Sequence, residues 1–385
     1  MKTQSKIILA GIFLGTLALN ALAQDKFIEI KKDATRLIPI SISGFSGEVA
    51  DVLRFDLSVL GLEVQEPAQY IISGKNDGRV EGSLAPAGVN RPIFVRAYAG
   101  GNTRSQAHAF ADDIIKELRQ SSPIFGTKIA FRMGQGRSTE ICVSDYDGYN
   151  RTVLTHDGTL VEGPSWLPGA RGLLYTSWMK GNPQVYEHTL ATGARRLFAG
   201  YAGMNCSAEV SPNGRMVAMI LSKSGSPNLY VCDIDGGHLL QLTHSKDEDS
   251  GPCWLPDSRD ICFVHRSGRA FLQKISATGG QAVSVHVSGI FGNNLTAPDC
   301  SPDGSKIAFT TGSGNFTICV MPAGGGEAEK LVAGEDPCWA PNSRTIIFTQ
   351  RRSDKRVLCL LDVPTKHVKD VRQISGSCSE PSWAR

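Results

Sequence analysis

The sequence predicts a mainly β protein, a six-bladed β-propeller closed by its C-terminal strand and preceded by a small α/β domain. Three observations support this prediction. A Pro-Asp-Gly-like turn followed by an alternating apolar strand recurs through residues 123–385. The repeats are spaced like propeller blades. The first and last repeats are each incomplete, and each contains what the other lacks.

The repeat is clearest at residues 301–309, where Ser-Pro-Asp-Gly leads into Ser-Lys-Ile-Ala-Phe. Related turns begin at Leu167, Ser211, Leu255 and Ala340. The equivalent strand-end residues are separated by 44, 44, 44, 46 and 39 positions, and they are Phe131, Tyr175, Met219, Phe263, Phe309 and Phe348. A period near 44 residues is typical of a four-stranded blade.

Each repeat is predicted to contain four strands, A to D. The six A strands are 164–166, 208–210, 251–254, 298–300, 337–339 and 381–383. There are also six B strands, but the first, at 128–132, has no A strand before it, and the last A strand has no B strand after it. We expect these two to pair in one blade, since this closes the ring and removes the exposed sheet edges of a linear array.

The N-terminus is typical of a secretory signal. Lys2 and Lys6 precede a 13-residue apolar run, which is too short to span a bilayer, and Ala21-Leu22-Ala23 fits a cleavage site. We therefore expect residues 1–23 to be removed after Ala23 and the mature chain to be exported, without a transmembrane segment. Removal of the two lysines lowers the net charge from +3 to +1. That balance does not favour binding to nucleic acid or to an anionic membrane.

Residues 24–122 are predicted to form the α/β domain. Strands are expected at 27–30, 37–42, 70–73, 79–84 and 93–98, and helices at 47–60 and 103–119. Apolar residues at a spacing of 3.6 mark the second helix, and Thr103 to Gln106 is a candidate capping box. His108 lies beside the apolar stripe and is interpreted as a surface or packing histidine.

The chain shows no signature of a cofactor or metal site, and none is expected. The ten cysteines contain no Cys-x-x-Cys and the eight histidines no zinc spacing. Several cysteines recur at equivalent strand positions, so we expect mostly buried free thiols, with one or two disulfides left open. Trp166, Trp254, Trp339 and Trp383 share one repeat position, which favours packing between blades. The acidic turns at 145–148 and 233–236 lack the later ligands of a calcium loop.

Several stretches resemble the TolB family of exported propeller proteins from the Tol–Pal envelope system. These are residues 143–150, the 301–309 repeat, and the segment 107–115 leading to 126–131. The resemblance implies a periplasmic, non-enzymatic and monomeric scaffold that supports envelope integrity, outer-membrane constriction at division and protein import. It implies that the propeller binds the peptidoglycan-associated lipoprotein Pal and that the N-terminal region contacts TolA, among other envelope proteins.

Two other classes of function were weighed. A hydrolase-associated propeller would need a Gly-x-Ser-x-Gly elbow, which is absent from the sequence, and a propeller lyase would need converging histidines, whereas those here occupy unrelated strand positions. A module that senses sugar or peptidoglycan remains a third hypothesis.

The D–A and B–C loops should share one face of the ring, at the mouth of the central channel. Their sequences vary between repeats, while the turns of the opposite face are short and alike, which favours the variable face as the binding surface for Pal. The candidate contact residues are Glu162, Trp178, Asp249, Arg266, Arg269, Glu335, Asp336, Arg351 and Glu380. Trp178 stands out because aromatic and arginine side chains anchor interfaces.

Overall fold

The computed structural model describes residues 34–289, 294–312, 314–371 and 373–385. The predicted signal peptide and the predicted strand at 27–30 lie outside these residues. In the described part, a five-stranded sheet with two helices precedes six four-stranded sheets arranged as a propeller. The predicted fold class is confirmed. The predicted division at residue 122 stays a prediction.

The N-terminal sheet has the strand order β2–β1–β3–β4–β5. Its strands are β1 Ile38–Ser43, β2 Leu62–Val64, β3 Tyr70–Lys75, β4 Val80–Pro86 and β5 Phe94–Tyr98. β1 pairs in parallel with both β2 and β3, and the remaining pairs are antiparallel. Helices α1 (Gly47–Val59) and α2 (Thr103–Arg119) pack together and bury an apolar layer that includes Leu53, Leu57 and Phe110.

The predicted capping box of α2 is wrong. The N-cap is Asn102, whose side-chain oxygen accepts a hydrogen bond from the Ser105 amide at 2.8 Å. Gln106 does not reach back to the cap, because its Oε1 accepts the Val80 amide at 2.8 Å. The helix thereby uses its first turn to hold the neighbouring strand β4.

The six blades each contain strands A to D in hydrogen-bonded order. Blade 1 comprises Val161–Trp166, Gly172–Ser177, Gln184–Thr189 and Arg195–Ala199. Blade 2 comprises Asn205–Val210, Met216–Leu221, Asn228–Asp233 and Leu240–Gln241. Blade 3 comprises Glu248–Trp254, Asp260–Ser267, Arg269–Ser276 and Val283–Val285.

Blade 4 comprises Leu295–Cys300, Lys306–Thr311, Thr317–Pro322 and Glu329–Ala333. Blade 5 comprises Glu335–Trp339, Thr345–Arg352, Lys355–Asp362 and His367–Asp370. Blade 6 comprises Cys378–Trp383, Lys128–Gln135, Ser138–Asp145 and Thr152–Val153. A short parallel pair, Val287–Ser288 with Gly326–Glu327, and a 3₁₀ turn at Pro168–Ala170 complete the regular structure of the described residues.

The ring closes as predicted, through the C-terminal strand. Trp383 pairs with Ile129 and Ser382 with Ala130, in the antiparallel register expected of strands A and B. Trp383 is 2% exposed, and its indole Nε1 donates to Thr127 Oγ1 at 2.7 Å. The closing strand is therefore a packed element of the core.

The N-terminal domain packs on the propeller. One continuous apolar cluster runs from Leu53 and Phe110 of the helices, through Phe125 of the connection, to Phe131 and Trp383 of blade 6. The polar contacts on the propeller side come from turns between strands A and B or between C and D, and from His367 and Lys369 in strand D of blade 5, which both pair with Glu63. Arg344, for example, donates to the Ala34 carbonyl at 3.2 Å. The N-terminal domain thus covers part of the short-turn face.

Candidate binding surface

A buried polar cluster joins the N-terminal domain to the C–D turn of blade 6. His108 Nδ1 lies 2.7 Å from Asp56 Oδ2, and the Tyr146 hydroxyl donates to Asp56 Oδ1. Asp147 contacts the Arg104 guanidinium and lies 3.6 Å from His108 Nε2. Burial opposes protonation of His108, but Asp56 outweighs it and raises the pKa of the imidazole. His108 is thus a buried packing residue, 7% exposed, at the contact between the domains. Of the two positions considered from the sequence, packing is correct and the surface is wrong.

Asp56, His108 and Asp147 are spaced closely enough to hold a metal ion, with one ligand atom from each within 4.8 Å of the others, but their polar atoms are engaged with one another and with neighbouring side chains. The two carboxylates approach opposite nitrogens of the imidazole. Both oxygens of Asp56 already have partners, since Tyr146 donates to Oδ1 and His108 lies against Oδ2. The Arg104 cation already neutralises Asp147. The cluster is therefore a hydrogen-bonded contact between domains.

The predicted binding residues lie on the face opposite these turns, but mostly not in loops. Of the nine, Trp178 alone lies outside a strand. The five acids lie near the beginnings of A strands, and Arg266, Arg269 and Arg351 lie at the ends of B–C hairpins. The strands extend further than predicted because the B–C connections of blades 3 and 5 are tight: Ser267 pairs with Arg269 and Arg352 with Lys355.

Glu162 and Glu380 meet at the channel mouth around an arginine that the sequence analysis did not single out. Arg132 Nη1 lies 2.8 Å from Glu380 Oε1 and 3.7 Å from Glu162 Oε2. Glu380 also accepts the Gly163 amide at 2.9 Å, which links blade 6 to blade 1. Burial raises the pKa of both carboxyl groups.

The acids of blade 5 continue this network. Thr349 Oγ1 donates to Asp336 Oδ2 at 3.2 Å, and the Glu380 amide lies 3.4 Å from the same oxygen. Burial, together with the nearby Glu380 and Glu335, raises the pKa of Asp336 to about 7. Glu335 is held by Arg351 at 3.3 Å and Arg356 at 2.8 Å. The mouth therefore carries mixed charge, with the carboxylates interleaved with the guanidinium groups of Arg132, Arg351 and Arg356.

Asp249 is the buried member of the nine predicted contact residues. It is 1% exposed, with Thr243 Oγ1 donating to one carboxylate oxygen and His265 Nδ1 lying 2.7 Å from the other. Its carboxylate is held between the connection from blade 2 and strand B of blade 3, so it is not available on the surface described here. Arg269 is exposed, and its guanidinium lies over the Phe271 ring at 4.8 Å.

Trp178 and Arg266 are partly exposed. Trp178 follows strand B of blade 1, where its amide donates to the Leu160 carbonyl at 3.0 Å. Its backbone is therefore fixed while its side chain reaches solvent. Arg266 Nη1 donates to Asn294 Oδ1 at 3.1 Å, across to blade 4.

The A strands line a channel of about 420 Å³. Charged groups missed by the sequence analysis project into it, among them Glu209, Asp299 and Arg385. Burial raises the pKa of Glu209 to about 7. Arg385 pairs with Asp299, and its Nη2 donates to the Trp339 carbonyl at 3.1 Å. Alternation within the A strands could have located Glu209 and Asp299, because each directly precedes the repeat position that is tryptophan in four of the six A strands. The position of Arg385 had no comparable signal.

Comparison with known proteins agrees with this architecture. The family model described as the TolB beta propeller domain matches residues 115–385. The chain belongs to the TolB β-propeller family. This confirms the resemblance read from the sequence motifs.

Two relatives extend the comparison. The Tol-Pal system protein TolB of Bordetella pertussis is 31% identical over 285 residues, which are 73% of this chain and 65% of that protein. The chain thus matches slightly less than two thirds of that relative's length. The protein of the same name from Bordetella parapertussis is also 31% identical, over 73% of this chain and 64% of its own. Both relatives are named as proteins of the Tol-Pal system, which supports the prediction of a non-enzymatic protein.

A solved structure shares the fold. The crystal structure of TolB from Acinetobacter baumannii superposes with a TM-score of 0.81, at 18% identity, and covers 91% of this chain and 97% of that one. The superposition includes the N-terminal domain as well as the ring, since it extends beyond the propeller's share of the chain. Within the described residues, no helix has the length and apolar content to cross a membrane.

Proposed function

We propose that this chain is a non-enzymatic, periplasmic component of the Tol–Pal envelope system that binds the lipoprotein Pal through the channel-mouth face of its propeller. Family membership and the names of the relatives support the system. The observation that supports the face is the position of the N-terminal domain, which packs against the short turns and leaves the opposite mouth uncovered among the described residues.

The chemistry of the mouth fits a protein partner. Trp178, Arg269 and Arg351 offer aromatic and guanidinium groups, which are enriched among interface anchors. Glu162, Glu335, Asp336 and Glu380 surround the channel entrance and present carboxylates within one network. A partner with basic or amide groups near an apolar anchor would complement this arrangement. We also propose the N-terminal region as the TolA contact, on the family resemblance.

The test is a titration of purified Pal against the full chain and its variants. Trp178→Ala and Arg269→Ala remove partly or fully exposed side chains, so the fold should be retained. We expect each key residue to contribute about 1–3 kcal/mol, which corresponds to roughly 5- to 150-fold in Kd. The double variant Asp336→Ala/Glu380→Ala tests the acidic entrance.

Matched controls lie on the other face. Asp235→Ala and Asp257→Ala alter exposed acids in C–D and A–B turns. Unchanged affinity in these controls, with weaker binding in the mouth variants, is the expected pattern. The reverse pattern in folded proteins would move the Pal site to the short-turn face, and no binding by the wild-type chain would contradict the Pal assignment.

A further inference from the structure

The junctions between blades follow one rule around the whole ring. The A motif is the three-residue segment at 164–166, 208–210, 252–254, 298–300, 337–339 and 381–383. The third residue of each A motif contacts the second residue of the A motif before it. The tryptophan Nε1 groups show this most clearly: Trp166 donates to the Ser382 carbonyl at 3.0 Å, Trp254 to the Glu209 carbonyl at 2.8 Å, and Trp339 to the Asp299 carbonyl at 3.2 Å.

The other junctions use different groups at the same two positions. The Val210 amide donates to Ser165 Oγ at 3.3 Å, and the Trp383 amide lies 3.3 Å from Cys338 Sγ. Between blades 3 and 4, both positions are cysteines. Cys253 Sγ and Cys300 Sγ lie 3.3 Å apart. This junction therefore has a sulfur pair where three others have an indole hydrogen bond.

We propose that Cys253 and Cys300 are a disulfide-forming pair that joins blades 3 and 4 covalently. The sulfur atoms are roughly 1.3 Å further apart than in a disulfide bond, whose length is about 2.05 Å. Both cysteines border the channel, and only small fractions of them, 4% and 2%, are exposed. An exported protein encounters conditions in which such bonds persist.

A third cysteine in the same apolar cluster provides a competing partner. Cys262 lies directly opposite Cys253 on the neighbouring strand of blade 3. Cβ atoms of directly opposed residues in an antiparallel sheet are about 4.5–5.5 Å apart, whereas a disulfide spans about 3.5–4.5 Å. Cys253 Sγ and Cys300 Sγ, by contrast, are in direct contact, which favours the link between the blades.

The reaction balances with hydrogen peroxide as the oxidant. The thiolate of one cysteine attacks a peroxide oxygen and becomes a sulfenic acid as one water leaves. The second thiol then displaces the sulfenic hydroxyl, which leaves as another water, and the sulfur–sulfur bond forms. Two thiols and one peroxide molecule yield one disulfide and two waters.

The experiment treats the folded full chain with hydrogen peroxide and maps the linked peptides by mass spectrometry without reduction. We expect a Cys253–Cys300 peptide that has lost two hydrogen atoms and that dithiothreitol separates. The thermal unfolding midpoint should rise by a few degrees on oxidation, because the bond restricts the unfolded chain. Cys300→Ser should abolish both effects, and Cys262→Ser, the matched control, should retain them.

Three outcomes would overturn the inference: a link from Cys262 to Cys253 or to Cys300 in the wild type, oxidation of Cys253 to sulfinic acid without a link, or ten free thiols after treatment. The mapping does not depend on Pal, so it stands apart from the test of the proposed function. A Cys300→Ser chain that fails to fold would be replaced by Cys253→Ala, for which the same loss of the linked peptide is expected.

Discussion

Tyr146 and Trp383 stack on each other, with ring centroids 6.2 Å apart and ring planes inclined by 21°. Tyr146 lies in the C–D turn of blade 6, and Trp383 belongs to the strand that closes the ring. The Tyr146 hydroxyl in turn donates to Asp56 of helix α1. One aromatic pair thus connects ring closure to the docking of the N-terminal domain.

Removal of the closing strand should strongly destabilise the protein. Deletion of residues 379–385 exposes the edge of strand Lys128–Gln135 and empties the site of the buried Trp383. Loss of a buried large aromatic side chain costs about 3–5 kcal/mol. Urea unfolding measures the change, and Trp178→Ala serves as a control in which a partly exposed tryptophan is lost. Equal midpoints for the deletion and the wild type would disprove closure by this strand.

Asp56→Ala should destabilise the domain contact. The carboxylate is fully buried and accepts from Tyr146 and His108, so its removal leaves both polar groups unsatisfied. Loss of one partner of a buried pair costs about 3–5 kcal/mol. The control is Asp51→Ala on the same helix, where an 82% exposed side chain lies 3.6 Å from Arg54 and the cost should stay below about 1 kcal/mol. Comparable urea midpoints for the two variants would refute the role of Asp56.

Asp336→Asn should flatten the pH dependence of stability. Burial and the neighbouring acids raise the pKa of Asp336 to about 7, above the ordinary value of about 3.9. Between these values the folded state binds more protons than the unfolded state, so this carboxyl lowers stability as the pH rises. The wild-type melting temperature should therefore fall more than that of the variant between pH 5 and pH 8. Asp257→Asn, in an exposed turn, is the control and should follow the wild type.

Gly82→Ala should destabilise the N-terminal domain. A Cβ at this position of β4 would lie 2.3 Å from Phe110 Cζ, inside the apolar layer under α2. Overpacking of this kind costs about 1–3 kcal/mol. Gly126→Ala is the matched control, since nothing lies within 4 Å of the Cβ it would add. If thermal melts fail to separate the two variants, Phe110 must have room to move.

The repeat architecture could be predicted from sequence because each blade repeats a local signal, a turn and an alternating strand. The pairing of segment 381–383 with 128–132 followed from the two incomplete repeats alone, and the structure sets its register, with Trp383 opposite Ile129. The domain contact could not be predicted. Asp56 and Tyr146 are 90 residues apart, and no spacing rule relates them.

The candidate surface was predicted in part. The choice of face followed from strand order, and Trp178 and Arg269 reach solvent there. Asp249 does not, because Thr243 and His265 hold its carboxylate. An acid that satisfies a neighbouring polar side chain and an acid that faces solvent have the same sequence signature, and only the fold distinguishes them.

Ring closure also orders the assembly of the chain in time. Trp383 and Thr127 are 256 residues apart, and blade 6 lacks its A strand until the last segment has been synthesised. Contacts over such separations form slowly, since the intervening chain must first be brought together. Helix α1 contacts Tyr146 of that same blade, and Tyr146 stacks on Trp383. The N-terminal domain is synthesised first, but its contact with the propeller is complete only after the C-terminal strand has paired. A chain without residues 378–385 would therefore lack the contacts that Trp383 makes to Ile129 and to Tyr146.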